Sequence, residues 1–110
     1  MLSMDTKQVL AALSALAQES RLAVFRLLVQ LGPEGMAASR IGGQLDIAPS
    51  SLSFHLKELT HAGLIRSRQD GRFVIYSADV DAMNGLIGFL TENCCGGVPC
   101  GPTSTGCKPT

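Results

Sequence analysis

Pro49-Ser50-Ser51-Leu52-Ser53-Phe54-His55-Leu56-Lys57-Glu58-Leu59-Thr60-His61 has two faces when wound at about 100° per residue. Leu52, Leu56 and Leu59 fall together on one side and require a core to cover them. Ser50, Phe54, Lys57 and His61 fall on the other, with Ser53 beside them and Ser51 in the first turn. This outward face is small, hydroxylic or basic, and carries a phenyl ring with no core of its own. A helix that enters a DNA major groove needs small hydroxyl residues near its start, so that the backbone approaches closely and the hydroxyls reach bases or phosphates. Phe54 is of a type to meet a thymine methyl. His55 lies at the border of the buried face and is read as a packed or phosphate-bonding residue rather than a metal ligand. Pro49 suits the first helical position, where a missing N–H costs nothing, and Gly63 marks the stop.

The flanks give this helix its setting. Upstream, residues 38–45 form a short helix closed by the break Asp46-Ile47-Ala48. Downstream, two strands are expected over 64–69 and 72–77, with Asp70-Gly71 between them as a two-residue hairpin signal. Short helix, tight break, longer helix and hairpin make a helix-turn-helix with a wing, and Arg68 and Arg72 straddle the wing tip where phosphate or minor-groove contacts lie. Further out, 5–17 shows Val9, Leu10, Leu13 and Leu16 at helical spacing. Ser20 reads as the N-cap of a second helix that runs to Leu31 and stops at Gly32-Pro33. That helix is apolar on most sides, with Arg21, Arg26 and Gln30 as its wet edge. A last helix over 79–93 carries Val80, Met83, Ile87 and Leu90, widened by Leu86 and Phe89. Its apolar width exceeds what one small core needs, which fits dimerisation or a loosely packed end helix. The fold class expected is mostly α with a small β-hairpin, a winged helix-turn-helix.

A chain of 110 residues with 45% apolar and 16% charged residues has the composition of one globular domain rather than a disordered segment. No stretch approaches the roughly 20 apolar residues of a membrane span, and the first residues lack a basic start leading into an apolar run. A cytoplasmic location is expected. The formal net charge is zero, yet charge is unevenly placed. Residues 40–72 hold Arg40, Lys57, Arg66, Arg68 and Arg72 against Asp46, Glu58 and Asp70, while the chain after 78 holds Asp79, Asp81 and Glu92 against Lys108. A mildly basic middle permits DNA binding without establishing it.

All four cysteines, Cys94, Cys95, Cys100 and Cys107, lie in the last stretch. A disulfide-built domain spreads its cysteines through the core, whereas a cluster at one end is a soft-metal or redox site, or a set of bystander thiols. Residues 1–93 are expected to form the DNA-binding and dimerisation domain. Residues 94–110, rich in Gly and Pro, are expected to form a flexible Cys-rich tail. A small thiol enzyme is disfavoured, because no Cys-x-x-Cys stands beside a βαβ pattern and no histidine follows His61.

Four segments complete the picture. Leu13-Ser14-Ala15-Leu16-Ala17-Gln18-Glu19-Ser20-Arg21-Leu22, Ser53-Phe54-His55-Leu56-Lys57-Glu58-Leu59, Ala62-Gly63-Leu64-Ile65 and Asp70-Gly71-Arg72-Phe73-Val74-Ile75-Tyr76 together resemble the ArsR/SmtB family of metal-responsive repressors over residues 7–93. The resemblance implies a homodimer built on the first and last helices, here through Val9, Leu13, Met83, Leu86, Ile87 and Leu90. It also implies a double-stranded operator with an inverted repeat and release of DNA when a metal or metalloid binds. Many relatives place a basic residue where this chain has Phe54. Arsenic sensors of the family often carry Cys-x-Cys near the third helix, and 36–42 has no cysteine. Its zinc sensors use carboxylates and histidines of the last helix, and this one has Asp79 and Asp81 alone. The tail is similar to variant arsenic sensors whose cysteines follow the last helix. Sulfur-only ligation selects thiophilic ions, and As(III) or Sb(III) takes three thiolates in a pyramid. Cys94, Cys95 and Cys100 supply such a set if the chain turns back at Gly96, Gly97 and Pro99, with Cys107 as a further donor. Adjacent cysteines on a regular helix diverge by about 100°, so binding is expected to unwind the helix end. Two alternatives use the same thiols: four-thiolate binding of Cd(II), Pb(II) or Zn(II), and a redox switch pairing Cys100 with Cys94 or Cys95.

Overall fold

In a computed structural model that describes residues 4–97, the helix-turn-helix is built on a frame laid down by two helices before it. The order is α1 (Thr6–Leu16), α2 (Glu19–Leu31), β1 (Met36–Ala37), α3 (Ala38–Leu45), α4 (Pro49–His61), β2 (Ile65–Asp70), β3 (Phe73–Ala78) and α5 (Val80–Thr91), with 3-10 turns at Gly32–Glu34 and Cys94–Gly97. Cys100 and Cys107 lie outside the described residues. No described helix is long and apolar enough to cross a membrane.

Local chemistry sets the helix starts. Asp5 caps α1 by accepting from the Gln8 N–H at 2.8 Å, and the Gln8 amide oxygen accepts from the Asp5 N–H at 2.9 Å, a reciprocal capping box. The expected cap of α2, Ser20, sits inside the first turn. Gln18, extended at φ −151° and ψ 133°, takes that place and accepts from the Arg21 N–H at 2.8 Å. A longer amide side chain reaches the same orphan donor a serine would. Before α4, Ala48 is extended (φ −61°, ψ 145°) and Pro49 opens the helix, as the steric clash ahead of a proline dictates. Asp46 turns the chain between α3 and α4 in a left-handed conformation (φ 57°, ψ 50°).

Each element places one apolar side in the centre. Val24 and Leu28 of α2, Ile41 of α3, Leu59 of α4 and Leu64 ahead of β2 are fully buried, and Leu52 and Leu56 are 3% exposed. This confirms the core face read from α4. Leu22 and Leu31 of α2 are more than a third exposed, so that helix is buried along one side and not around its whole circumference.

The sheet has the order β1-β3-β2, all antiparallel. β2 pairs with β3 from Ile65 opposite Ala78 to Asp70 opposite Phe73. The hairpin loop is therefore Gly71-Arg72, one residue later than Asp70-Gly71. Gly71 has φ 62° while Arg72 is not left-handed, the pattern of a II′ turn with glycine first. The strand β1 was not anticipated. It exists because Gly35, at φ 66°, brings the chain against β3: a Cβ there would stand 2.2 Å from the Tyr76 carbonyl oxygen.

Candidate nucleic-acid interface

Three elements bring the outward residues of α4 to one side. α2 and α3 pack behind the helix and the wing follows it, which leaves Ser50, Ser51, Ser53, Phe54, Lys57 and His61 exposed. Phe54 keeps 55% of its surface in solvent. Its ring meets the His55 ring edge-on, with centroids 5.9 Å apart and planes at 61°. His55 is half-buried, as its border position predicted. Its Nδ1 lies 3.5 Å from Nη1 of Arg21, whose Nε–H donates to the Ala15 carbonyl at 2.7 Å.

The two wing arginines part company. Arg72 lies in the hairpin loop and is exposed, where the tip was expected. Arg68 sits opposite Ile75, inside the ladder. Its guanidinium donates to the carbonyls of Pro33 at 3.3 Å and Glu34 at 2.9 Å, so it ties the wing to the turn after α2 instead of standing at the tip. Arg66, two rungs nearer the start of β2, faces the N-cap of α5: its Nη2 lies 3.6 Å from Asp79 Oδ1, and Asp79 also accepts from the Ala82 N–H at 3.0 Å. Asp79 thus connects the wing to the last helix.

Arg21 is the residue that sequence reading placed on a wet edge and the structure brings to α4. A signal was present. A cation in the first turn of a helix opposes the macrodipole, which hints that its position answers a need elsewhere.

α1 and α5 touch, and each leaves an apolar pair uncovered: Leu10 and Leu13 at 61% and 39% exposure, Ile87 and Leu90 at 51% and 59%. Met83 is half-buried. Val9 and Leu86, at 2% and 7%, belong to the chain's own core. Those two are withdrawn from the expected dimer surface, because their side chains are already covered; Leu10 is the uncovered neighbour.

The end of α5 differs from expectation too. The helix stops at Thr91; Glu92 is extended (ψ 131°) and Asn93 left-handed (φ 58°), a conformation asparagine tolerates better than most residues. Cys94 is half-buried and opens the 3-10 turn Cys94–Gly97. Both cysteines of the pair therefore lie beyond α5, and no unwinding of that helix is needed to release them from it. Among the described residues no group of three or more His, Cys, Asp or Glu side chains is arranged to hold a metal.

Comparison with known proteins agrees with this geometry. A family described as a helix-turn-helix domain matches residues 16–68. The nodulation protein NolR of Rhizobium meliloti is 32% identical over 80 residues, 73% of this chain and 63% of that protein. The HTH-type transcriptional regulator YceK of Bacillus subtilis is 36% identical over 77 residues, 69% of this chain and 76% of that one. A Halobacterium salinarum protein named as an arsenical resistance operon repressor is 39% identical over 64 residues, 58% of this chain and 49% of its own. The chain thus spans less than two thirds of the first and third of these relatives. Among solved structures, an ArsR-like transcriptional regulator from Rhodococcus sp. RHA1 superimposes with a TM-score of 0.67 at 26% identity, covering 76% of each chain.

Proposed function

The chain belongs to the ArsR family of winged helix-turn-helix transcriptional regulators, and from that premise we propose that it is a cytoplasmic, homodimeric repressor of an arsenic-resistance operon. The observation that carries the DNA-binding part is the outer face of α4: three serines, Phe54, Lys57 and His61 stand uncovered beside a wing with Arg72 at its tip. In the proposed dimer, two such helices enter successive major grooves of an inverted repeat, about one DNA turn apart. Lys57 and Arg72 neutralise phosphates, which supplies affinity and makes it salt-dependent. The serines and Phe54 read base edges.

Dimerisation is supported by the apolar surface that α1 and α5 leave open. The inducer assignment is supported by all four thiols of the chain lying in its last stretch and by the position of Cys94 and Cys95 shortly after the end of α5. Cys94, Cys95 and Cys100 supply three thiolates to As(III) or Sb(III), with Cys107 in reserve. Drawing the tail together at the end of α5 biases the dimer toward a spacing that no longer fits the operator. A coupling of about 1–3 kcal/mol weakens binding roughly 5–150-fold.

The test is binding to the DNA upstream of the chain's own coding sequence, followed by fluorescence anisotropy and titrated with arsenite, Cd(II), Zn(II) and peroxide. Arsenite is expected to release the wild type and to leave the Cys94→Ser/Cys95→Ser protein bound. Release of that double variant by arsenite removes the cysteine pair as sensor. Loss of response on Cys107→Ser points instead to a four-thiolate site.

A further inference from the structure

Arg21 lies outside the helix-turn-helix and the wing, yet its side chain is spent on the recognition helix. Nε–H donates to the Ala15 carbonyl at 2.7 Å, which fixes the guanidinium against the last turn of α1. Nη1 then meets Nδ1 of His55 at 3.5 Å, the outer edge of hydrogen-bonding range. A guanidinium only donates. The contact is a hydrogen bond when His55 Nδ1 offers its lone pair, which places the ring proton on Nε2. Phe54 abuts the same ring edge-on at 5.9 Å, so the imidazole is held by both an α2 side chain and its α4 neighbour.

We propose that Arg21 is a positioning residue for DNA recognition: it holds His55 as the Nε2–H tautomer, leaving that N–H as a donor to an operator backbone phosphate. The proposal rests on the repressor reading above and adds to it a residue from outside the reading head. Neutral N–H contacts to phosphate fix register, whereas the salt dependence of binding comes from cationic contacts that displace counterions. The Arg21–His55 pair therefore contributes affinity without contributing to the salt slope. Because Ala15 belongs to α1, the same guanidinium also joins the helix with the open apolar face to the helix that reads DNA.

The experiment is a double-mutant cycle on the full chain, with operator binding measured at several salt concentrations. Arg21→Ala and His55→Ala are each expected to weaken binding about tenfold per protomer, the worth of one hydrogen bond to a charged group. The double variant should bind no more weakly than His55→Ala, the signature of one residue acting through the other. The salt slope should not change. Arg21→Lys keeps the charge but loses the fork that makes both bonds, so it should behave as Arg21→Ala, and it serves if the alanine variant fails to fold. Nitrogen-15 NMR of the histidine rings in the free protein should show His55 Nδ1 unprotonated in the wild type and tautomers mixed in the Arg21 variant. Additive losses, or a flatter salt slope in Arg21→Ala, mean that Arg21 touches phosphate itself and overturn the proposal. A proton on Nδ1 in the wild type overturns it as well. If wild-type protein ignores its operator, the repressor reading fails together with the phosphate role, and the NMR spectrum still decides whether Arg21 sets the tautomer.

Discussion

Replacing Leu90 by Asp separates folding of the chain from its assembly. Leu90 is 59% exposed in the single chain, so most of its side chain contributes nothing to the monomer. Full burial of a leucine side chain is worth about 1.5–3 kcal/mol, and the uncovered fraction of Leu90 therefore holds about 1–2 kcal/mol for a partner to collect. A two-fold dimer collects it twice, about 2–4 kcal/mol, which converts to roughly 30- to 1,000-fold in the dimer dissociation constant. Aspartate adds the cost of desolvating two carboxylates at the same surface, so these figures are a lower bound. Sedimentation equilibrium over a range of concentrations reads the constant, and circular dichroism melting of the monomeric species reads the fold. Leu90→Asp should be monomeric where the wild type is dimeric, should retain its helical spectrum, and should lose operator affinity in parallel. A variant that stays dimeric at low micromolar concentration would refute the placement of the interface on α5.

Two other predictions follow from single positions. Gly35→Ala places a methyl group in the Tyr76 carbonyl and forces an L-residue to a positive φ, for a cost of about 2–3 kcal/mol; the melting temperature should fall by about 10–20 °C, and an unchanged value would mean that β1 does not pair with β3 in solution. Phe54→Lys adds a cation to the outer face of α4. It should steepen the salt dependence of operator binding by about 0.9 per protomer, whereas an unchanged slope would place Phe54 away from the phosphates.

Much of the fold was legible because α3 and α4 carry their own punctuation. The bounds 38–45 read from sequence match Ala38–Leu45, and Pro49 and Gly63 bracket α4 as expected. What was missed depends on contacts between distant segments. A two-residue strand has no periodicity to detect, and β1 exists only through the approach of Gly35 to Tyr76. The hairpin moved by one residue because one left-handed glycine at the first loop position satisfies the turn, where an Asp-Gly pair would have needed two left-handed residues. Helical spacing put Val9 and Leu13 on a common stripe but could not tell which of them the chain's own core would consume. The outer face of α4 was readable from its wheel, since the leucines could face only inward. The destination of an arginine was not: Arg68 and Arg72 look alike in sequence, and the ladder sends one to the carbonyls of Pro33 and Glu34 and leaves the other at the tip.

The left-handed Asn93 has an evolutionary corollary. Together with the extended Glu92 it carries the chain away from α5 before the first thiol is reached, so Cys94 and Cys95 stand past a bend and not on the helix. Residues beyond that bend can be gained, lost or respaced with no repacking of the reading head. On the proposed reading, the ion that such a scaffold detects is changed by exchanging little more than its last few residues.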